Sequence, residues 1–460
     1  MTYPFPEAEP FRIKMVEPLR LTTREQRESI LQAAHYNLFS VRAEDCYVDL
    51  LTDSGTSAMS QEQWAGIMMG DESYAGCRNW FHLQKTVQDI TGYPHVLPTH
   101  QGRPAENILT ALYLRPGLNA LGNMFFDTTH AHVQAKGALP RDLIIDQGLD
   151  TAVDYPFKGN IDLDKLEAWI QRETPEKIGL IMLTVTCNNN GGQPVSMANI
   201  RGVRAIADKY GLPFFFDAAR YAENAFFIKL RETGYAEKSV KDIAREMFSY
   251  ADGCTMSAKK DGLVNIGGFL ALKDEDKYRQ AQQMLILWEG FITYGGQAGR
   301  DLEALAIGLR EALEEPYLAY RVGQVRRFGQ QLLDAGVPVI YPFGGHCVML
   351  DMKRFLPHVP QERFPSEALC AALYLDSGTR AVGLGFLAFG EVDKATGKPL
   401  CPELEVVRMA VPRRVYTDNH LALVARSVIN VYQRREMLKG MKLTYEPPFL
   451  RHFTAHMLPL

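Results

Sequence analysis

The sequence predicts an α/β protein with a buried, mainly parallel sheet and a second, smaller α+β domain. Three observations predict it. Short continuous apolar runs alternate with amphipathic helix-like stretches through the middle of the chain, as in a parallel sheet covered on both faces. After about Arg300 that alternation gives way to long stretches rich in Ala, Leu and Glu, followed by short strands. The 460 residues, 46% of them hydrophobic and 23% charged, suffice for two full cores.

The elements follow in order. Residues 105–114 read as a helix, entered through the turn His100-Gln101-Gly102-Arg103. Residues 178–185 form an apolar run of strand length. Residues 197–210 place Ile200, Val203, Ile206 and Ala207 on one helical face. Residues 213–216 read as a strand, 240–250 as a helix and 253–256 as a strand. Residues 301–335 read as one long helix or two, with Gly336 as a stop. Strands at 337–341 and 347–350, a helix at 366–375, a strand at 406–411 and a helix at 420–432 complete the smaller domain. The Pro-rich patches at 357–365 and 446–449 read as loops. No internal repeat or low-complexity tract interrupts this order.

Composition excludes several roles. A formal net charge of −4, mixed in sign, argues against nucleic acid as a partner. Residues 1–11 lack the basic run and apolar stretch of a secretory signal. The longest apolar-looking run, residues 262–272, is too short to span a bilayer. Seven cysteines, scattered from Cys46 to Cys401, never form a C-x-x-C pair. That pattern fits reduced thiols in a cytoplasm, not a disulfide frame or zinc site.

Three motifs carry chemistry, two of them just after an apolar run, where parallel sheets bind their ligands. Phe214-Phe215-Phe216-Asp217-Ala218-Ala219-Arg220 ends a strand on a carboxylate, with Arg220 three residues on. Met256-Ser257-Ala258-Lys259-Lys260-Asp261 ends another on paired lysines. A cationic neighbour and desolvation lower the pKa of such a lysine and make it a nucleophilic amine. In His100-Gln101-Gly102-Arg103, the glycine, the backbone N–H groups and the arginine suit a phosphate at a helix N-terminus. Pro104 then falls in the first helical turn, where a missing N–H costs little.

Singly, each motif has a plainer explanation. An Asp after a strand is commonly a helix cap, and a Lys-Lys pair a solvated turn. Together they describe a pyridoxal phosphate site, which needs an amine for the Schiff base, an anion at the pyridine nitrogen and a phosphate cradle. Lys260, Asp217 and the turn Gln101-Gly102-Arg103 with Ser257 supply them. The 43 residues from Asp217 to Lys260 leave room for one further βα crossover.

At these residues the chain resembles the β-eliminating lyases of the fold-type-I pyridoxal phosphate enzymes, the family of tryptophan indole-lyases and tyrosine phenol-lyases. The resemblance runs from Glu9-Pro10-Phe11-Arg12 to Leu450-Arg451-His452-Phe453-Thr454-Ala455. It includes Asp49-Leu50-Leu51-Thr52-Asp53-Ser54-Gly55-Thr56, Gly70-Asp71-Glu72, Gly191-Gly192-Gln193-Pro194-Val195-Ser196 and Tyr294-Gly295-Gly296. It implies a large domain with a mainly parallel seven-stranded sheet at residues 52–310. It also implies a small domain at 311–460 and an N-terminal arm at 1–51 that contributes to the small domain.

The same resemblance implies roles. Lys260 holds the cofactor and later takes the substrate Cα proton. Asp217 pairs with the pyridinium nitrogen, Phe126 stacks on the ring, and Asn188 and Arg220 flank the phenolic oxygen. Gln101, Gly102, Arg103 and Ser257 hold the phosphate. Arg408 binds the substrate carboxylate, a task suited to bidentate Arg geometry, with Thr52 and Ser54 nearby and Phe39 beside the substrate. Tyr74 is the proton donor near the leaving group, reaching in from a neighbouring subunit of a homotetramer built from dimers with shared active sites. Gly55, Glu72 and Asn265 match positions that bind a monovalent cation, usually K⁺.

Three places separate the two activities. Indole-lyases have Asp at position 127 and His at 452, as here, where phenol-lyases have Thr and Phe. An anionic acceptor suits an indole N–H that grows more acidic as the ring is protonated, and His452 can tune that carboxylate or carry a proton. Phenol-lyases carry Met and Arg where this chain has Val382 and Leu384; an apolar wall suits the benzo ring of indole. The expected reaction is β-elimination of L-tryptophan to indole, pyruvate and ammonium. The alternatives are release of phenol from L-tyrosine and elimination from a related aromatic or S-substituted cysteine substrate. An aminotransferase and a non-catalytic cofactor-binding protein are the readings from other classes. The chain departs from the family at Pro104 (for Gly), at Asn189-Asn190, and at Gly383, where both activities carry Glu.

Overall fold

The computed structural model describes residues 5–6, 8–393, 395–448 and 450–460. Of the segments read above, Met1–Pro4 and Glu7 of the N-terminal stretch and Phe449 of the second Pro-rich patch lie outside the described residues. Two compact units emerge. The larger comprises the described residues of Met1–Pro6 with Ser54–Asp150 and Tyr155–Val322; the smaller comprises the described residues of Glu7–Asp53, Thr151–Asp154 and Gly323–Leu460.

The larger unit is built on seven strands: β1 (His95–Thr99), β2 (Asn119–Gly122), β3 (Leu139–Asp142), β4 (Ile178–Thr184), β5 (Phe214–Asp217), β6 (Gly253–Ser257) and β7 (Gly268–Leu272). Their order across the sheet is β1-β7-β6-β5-β4-β2-β3. Only β7 runs against its neighbours; the other six point one way. Phe214 and Phe216 pack into one apolar cluster and Phe215 into another, and all three are wholly buried. The alternation of side chains along a strand thus feeds a core on each face. Each such ring is worth roughly 1.5–3 kcal/mol on burial.

The crossover helices end where the sequence says they should. Helix Met197–Tyr210 starts at Ser196, whose side chain accepts from Asn199 N, and stops at Gly211 with φ of 65°. The long stretch after Arg300 is two helices, Gly299–Glu311 and Glu315–Asp334.

The smaller unit holds a three-stranded antiparallel sheet: β8 (Cys347–Asp351), β9 (Val382–Leu384) and β10 (Val406–Ala410), with β10 in the middle. Helices Pro365–Ser377 and Asp418–Gln433 pack on one another. A short parallel pair joins Val48–Asp49 to Thr379–Arg380. The strand expected at 337–341 does not form; only Val339 bridges to Leu350. Pro338 lies within this run and Pro342 follows it, and each lacks the N–H that a ladder needs. Among the described residues no helix is long and apolar enough to cross a membrane.

Candidate active site

The carboxyl ends of β1, β2, β4, β5 and β6 lie along one edge of the larger sheet, and the expected cofactor residues follow them. Asp217 closes β5, opposite Thr255 of β6 in register. It is buried, and its Oδ1 accepts from Ala219 N at 3.2 Å. Burial pushes its pKa up, against the pull of Lys260, the Ala219 N–H and Arg220. A carboxylate held here gains by meeting a cationic N–H.

Lys260 sits in the turn after β6 and donates from Nζ to Ser257 Oγ at 2.7 Å. Its neighbour Lys259 donates to Gln101 Oε1 at 3.2 Å. Burial, then Arg103, lowers the Lys259 pKa. The strand end therefore joins both lysines to the next feature, the N-terminus of helix Gly102–Tyr113. Gln101 is its N-cap, and Gly102 presses against β6 so closely that a Cβ there would lie 2.6 Å from Ser257 Cβ. Arg103 is exposed, and Pro104 lies in the first turn, where backbone N–H groups have no helical partner.

Phe126 follows β2 as the N-cap of helix Asp127–Ala135. Asp127 Oδ1 accepts from Thr128 N at 2.6 Å, so that carboxylate also steadies the first helical turn. Asn188, buried, donates to Asn189 Oδ1 at 3.0 Å in the loop after β4. Asn189 donates to Phe125 O at 2.7 Å and Asn190 to Lys158 O at 2.9 Å, which ties that loop to its surroundings. Arg220, also buried, caps helix Tyr221–Arg231.

These groups fit pyridoxal phosphate. The cradle between Gly102 and Ser257, which a single Cβ would fill, presents N–H groups and a hydroxyl to a phosphate. The amine and the buried carboxylate complete the set.

The remaining candidates belong to other elements. In the smaller unit, Val382 and Leu384 are buried in one apolar cluster, with Phe39 packed on it. Phe39 meets the ring of His452 at 6.0 Å, edge to face, and His452 itself is buried. Arg408, half-buried on β10, pairs with Val382 across the sheet and reaches Leu51 O at 3.4 Å. Thr52 follows Leu51, whereas Ser54 opens the larger unit. Tyr74 is 69% exposed and stacks on Phe291. A hydrogen bond with Tyr294 raises its pKa.

Of the expected cation residues, two meet one another and the third engages a helix start. Asn265 Nδ2 donates to Gly55 O at 2.9 Å, while the Glu72 carboxylate accepts from Gly299 N and Arg300 N. Among the described residues no group of three His, Cys, Asp or Glu side chains is placed to hold a metal ion.

The comparisons with known proteins now decide the family. The model of the family described as Beta-eliminating lyase matches residues 49–427. The chain belongs to the β-eliminating lyase family. Its cofactor is pyridoxal phosphate. A tyrosine phenol-lyase of Clostridium tetani is 52% identical over 448 residues, 97% of each chain. A tyrosine phenol-lyase of Symbiobacterium thermophilum is 51% identical over 99% of each. A tryptophanase of Salinibacter ruber is 52% identical over 98% of this lyase and 95% of that protein. Among solved structures, a serine palmitoyltransferase of Sphingomonas wittichii matches with a TM-score of 0.61. The identity is 11%, over 90% of this lyase and 97% of that chain. That likeness places the lyase in the fold-type-I class.

Two carboxyls of the lyase escaped the sequence reading. Glu106, on helix Gly102–Tyr113, is buried, accepts from Thr128 Oγ1 at 2.9 Å and lies 3.9 Å from His132 Nε2. Burial, then the Asp217 charge, raises its pKa to about 7. Its signal was an acid amid Ala105, Ile108 and Leu109, on the face that points inward. Glu367, on helix Pro365–Ser377, is the second.

Proposed function

We propose that this lyase cleaves L-tryptophan, with one water consumed, to indole, pyruvate and ammonium. The observation that supports this reading is the apolar character of the smaller unit's cluster at Val382 and Leu384. Val382 and Leu384 share a cluster with Phe39, and Phe39, Val382 and His452 line one cavity. Such a wall accepts the benzo ring of indole, and neither Val382 nor Leu384 offers a cation to a phenolic oxygen.

Bound pyridoxal phosphate supplies the electron sink for cleavage at Cα. The chain's own residues do the rest. Ser257 aims Lys260 Nζ, which holds the cofactor and then moves the Cα proton. Asp217 keeps a proton on the pyridine nitrogen. Phe126 stacks on the ring, Asn188 and Arg220 flank its phenolic oxygen, and Gln101, Gly102, Arg103 and Ser257 hold the phosphate. Arg408, with Thr52 and Ser54, orients the substrate carboxylate. Asp127 accepts from the indole N–H, while Tyr74 and His452 deliver the proton that makes indole a leaving group.

The test sets L-tryptophan and L-tyrosine side by side with pyridoxal phosphate and K⁺, scoring pyruvate and the released ring. Indole with little phenol is expected. Phenol with little indole overturns the specificity, an outcome that the phenol-lyase names of many relatives make worth testing. Lys260→Ala abolishes turnover; undiminished steady-state turnover would sink the assignment. The same proposal includes a homotetramer to which Tyr74 is donated across subunits, and activation by K⁺. Light scattering and replacement of K⁺ by Na⁺ check these two points.

A further inference from the structure

His100 stands between β1 and the turn that opens helix Gly102–Tyr113. Its main chain is held on both sides. The N–H donates to Glu289 Oε2 at 3.0 Å, and the carbonyl accepts from Gly267 N at 2.8 Å. Its ring is held as well. Nδ1 lies 2.5 Å from the same Glu289 oxygen, and Nε2 lies 3.0 Å from Gln101 Nε2. Glu289 closes helix Glu275–Trp288, and its carboxyl is buried. The loop that follows carries Phe291 and Tyr294, on which Tyr74 packs.

The neighbours of this ring decide where its proton sits. Lys259 Nζ lies 3.2 Å from Gln101 Oε1, and an ammonium has donors but no acceptor. The Gln101 carbonyl therefore faces Lys259, and the NH₂ of the same amide faces His100. That NH₂ donates, so His100 Nε2 accepts and carries no hydrogen. The ring proton is left on Nδ1, where the Glu289 carboxylate accepts it. A proton on Nε2 would reverse the order. The amide would turn round, and its NH₂ would meet the Lys259 ammonium, donor against donor. The two ends of an amide are alike in size, so the hydrogen-bond network, not packing, chooses between them.

That choice reaches the phosphate cradle. One wall of the cradle is the helix start at Gln101 and Gly102; the other is the end of β6 at Ser257, with Lys259 two residues on. The bond from Lys259 to Gln101 joins the two walls, beside the close approach of Gly102 to Ser257.

We propose that His100, held by Glu289 with its proton on Nδ1, is a positioning residue for the cofactor's phosphate: it turns the Gln101 amide so that Lys259 can tie the walls of the cradle together. The inference rests on the reading of that cradle as the phosphate site.

Two ligands that differ only in the phosphate test it. The full-length chain, freed of cofactor, is titrated by absorbance with pyridoxal phosphate and with pyridoxal. Native protein prefers the phosphorylated form by about 100-fold or more. His100→Ala weakens pyridoxal phosphate by about ten-fold and pyridoxal by less than about two-fold. His100→Gln, whose Oε1 can accept from the Gln101 amide but does not titrate, recovers pyridoxal phosphate affinity to within about three-fold of native. Glu289→Leu, which no longer fixes the ring proton, weakens pyridoxal phosphate by about three-fold or more and spares pyridoxal. Unchanged pyridoxal phosphate affinity in His100→Ala overturns the proposal. Equal losses for the two ligands do the same, since they report a disturbed fold. So does a His100→Gln no better than His100→Ala. If His100→Ala does not fold, His100→Gln and Glu289→Leu decide on the same two ligands: a His100→Gln that loses phosphate preference, or a Glu289→Leu that keeps all of it, overturns the idea. A native chain with no preference for the phosphorylated form overturns the cradle itself, a failure read without any variant, and the role of His100 falls with it.

Discussion

Ser257 and Lys260, three residues apart, are joined by a 2.7 Å hydrogen bond from Nζ to Oγ. The hydroxyl that ends β6 therefore aims the amine that follows it. Because Ser257 also faces Gly102, one strand end sets the amine and the phosphate cradle together. Moving either wall of that cradle should be felt by the cofactor before it is felt by the fold.

Gly102→Ala tests this. The added methyl would sit 2.6 Å from Ser257 Cβ, so the helix N-terminus must retreat. Cofactor affinity is expected to fall by about ten-fold or more, read by absorbance titration of the apoprotein. The thermal midpoint of that apoprotein should hardly move. Unchanged affinity would mean the cradle does not hold the phosphate.

Asp127 separates two roles. As an acceptor for the indole N–H it matters only when a ring must leave. Asp127→Ala should lower tryptophan turnover by about 10²–10⁴-fold and elimination from S-alkylcysteines far less. Equal losses would reduce Asp127 to the residue whose Oδ1 takes Thr128 N at the helix start.

Glu106 makes the apoprotein's stability depend on pH. Burial and Asp217 hold its folded pKa near 7, against an ordinary value of 4.5. The native state keeps this proton over a range where the unfolded chain has lost it. The contribution to stability is full below about pH 4.5 and is lost as pH rises through 7. Native apoprotein should lose about 2–3 kcal/mol more than Glu106→Gln between pH 5 and pH 8, as read from urea unfolding. Parallel pH profiles would mean Glu106 keeps an ordinary pKa.

Arg413 and Asp53 form an ion pair at 2.8 Å with almost no exposure of either side chain. Removing one partner takes this ion pair away from the other buried charge. Arg413→Met should destabilise the protein by about 3–5 kcal/mol, and adding Asp53→Asn should recover part of that. A single variant within about 0.5 kcal/mol of native in the denaturation midpoint would show that the pair contributes nothing.

Part of the larger unit was legible in the sequence because β4, β5 and the start of β6 are apolar runs, whereas β3, Leu-Pro-Arg-Asp, is exposed to half-buried and carries no such signal. Phe214-Phe215-Phe216-Asp217 announces both a strand buried on two faces and the carboxylate at its end. Ser196 and Gly211 mark a helix to the residue. The run at 337–341 misled because its apolar letters outweighed the two prolines that deny it a ladder. Glu106 and Glu367 were silent for a different reason. An acid on a helix reads as solvent-facing until the neighbours of that face are known, and those neighbours come from distant stretches. The shared stretch Asp49 to Thr56 likewise hid its structural share. Asp49 is bonded by Arg380 and Asp53 by Arg413, and no local pattern ties positions so far apart.

That distance has a consequence for how the protein is made. The smaller unit takes its first segment from the start of the chain and most of its remainder from the end. Asp49 leaves the ribosome 331 residues ahead of Arg380, and Asp53 emerges 360 ahead of Arg413. At about 5–20 residues per second the first wait is roughly 15–65 s. Through it Leu31, Leu38 and Leu50, all buried in the finished unit, lack most of the core that covers them. The larger unit can be complete while its partner is still half translated. A nascent chain stalled before Arg380 would present an assembled cofactor-binding sheet trailing an N-terminal segment with nothing yet to close on.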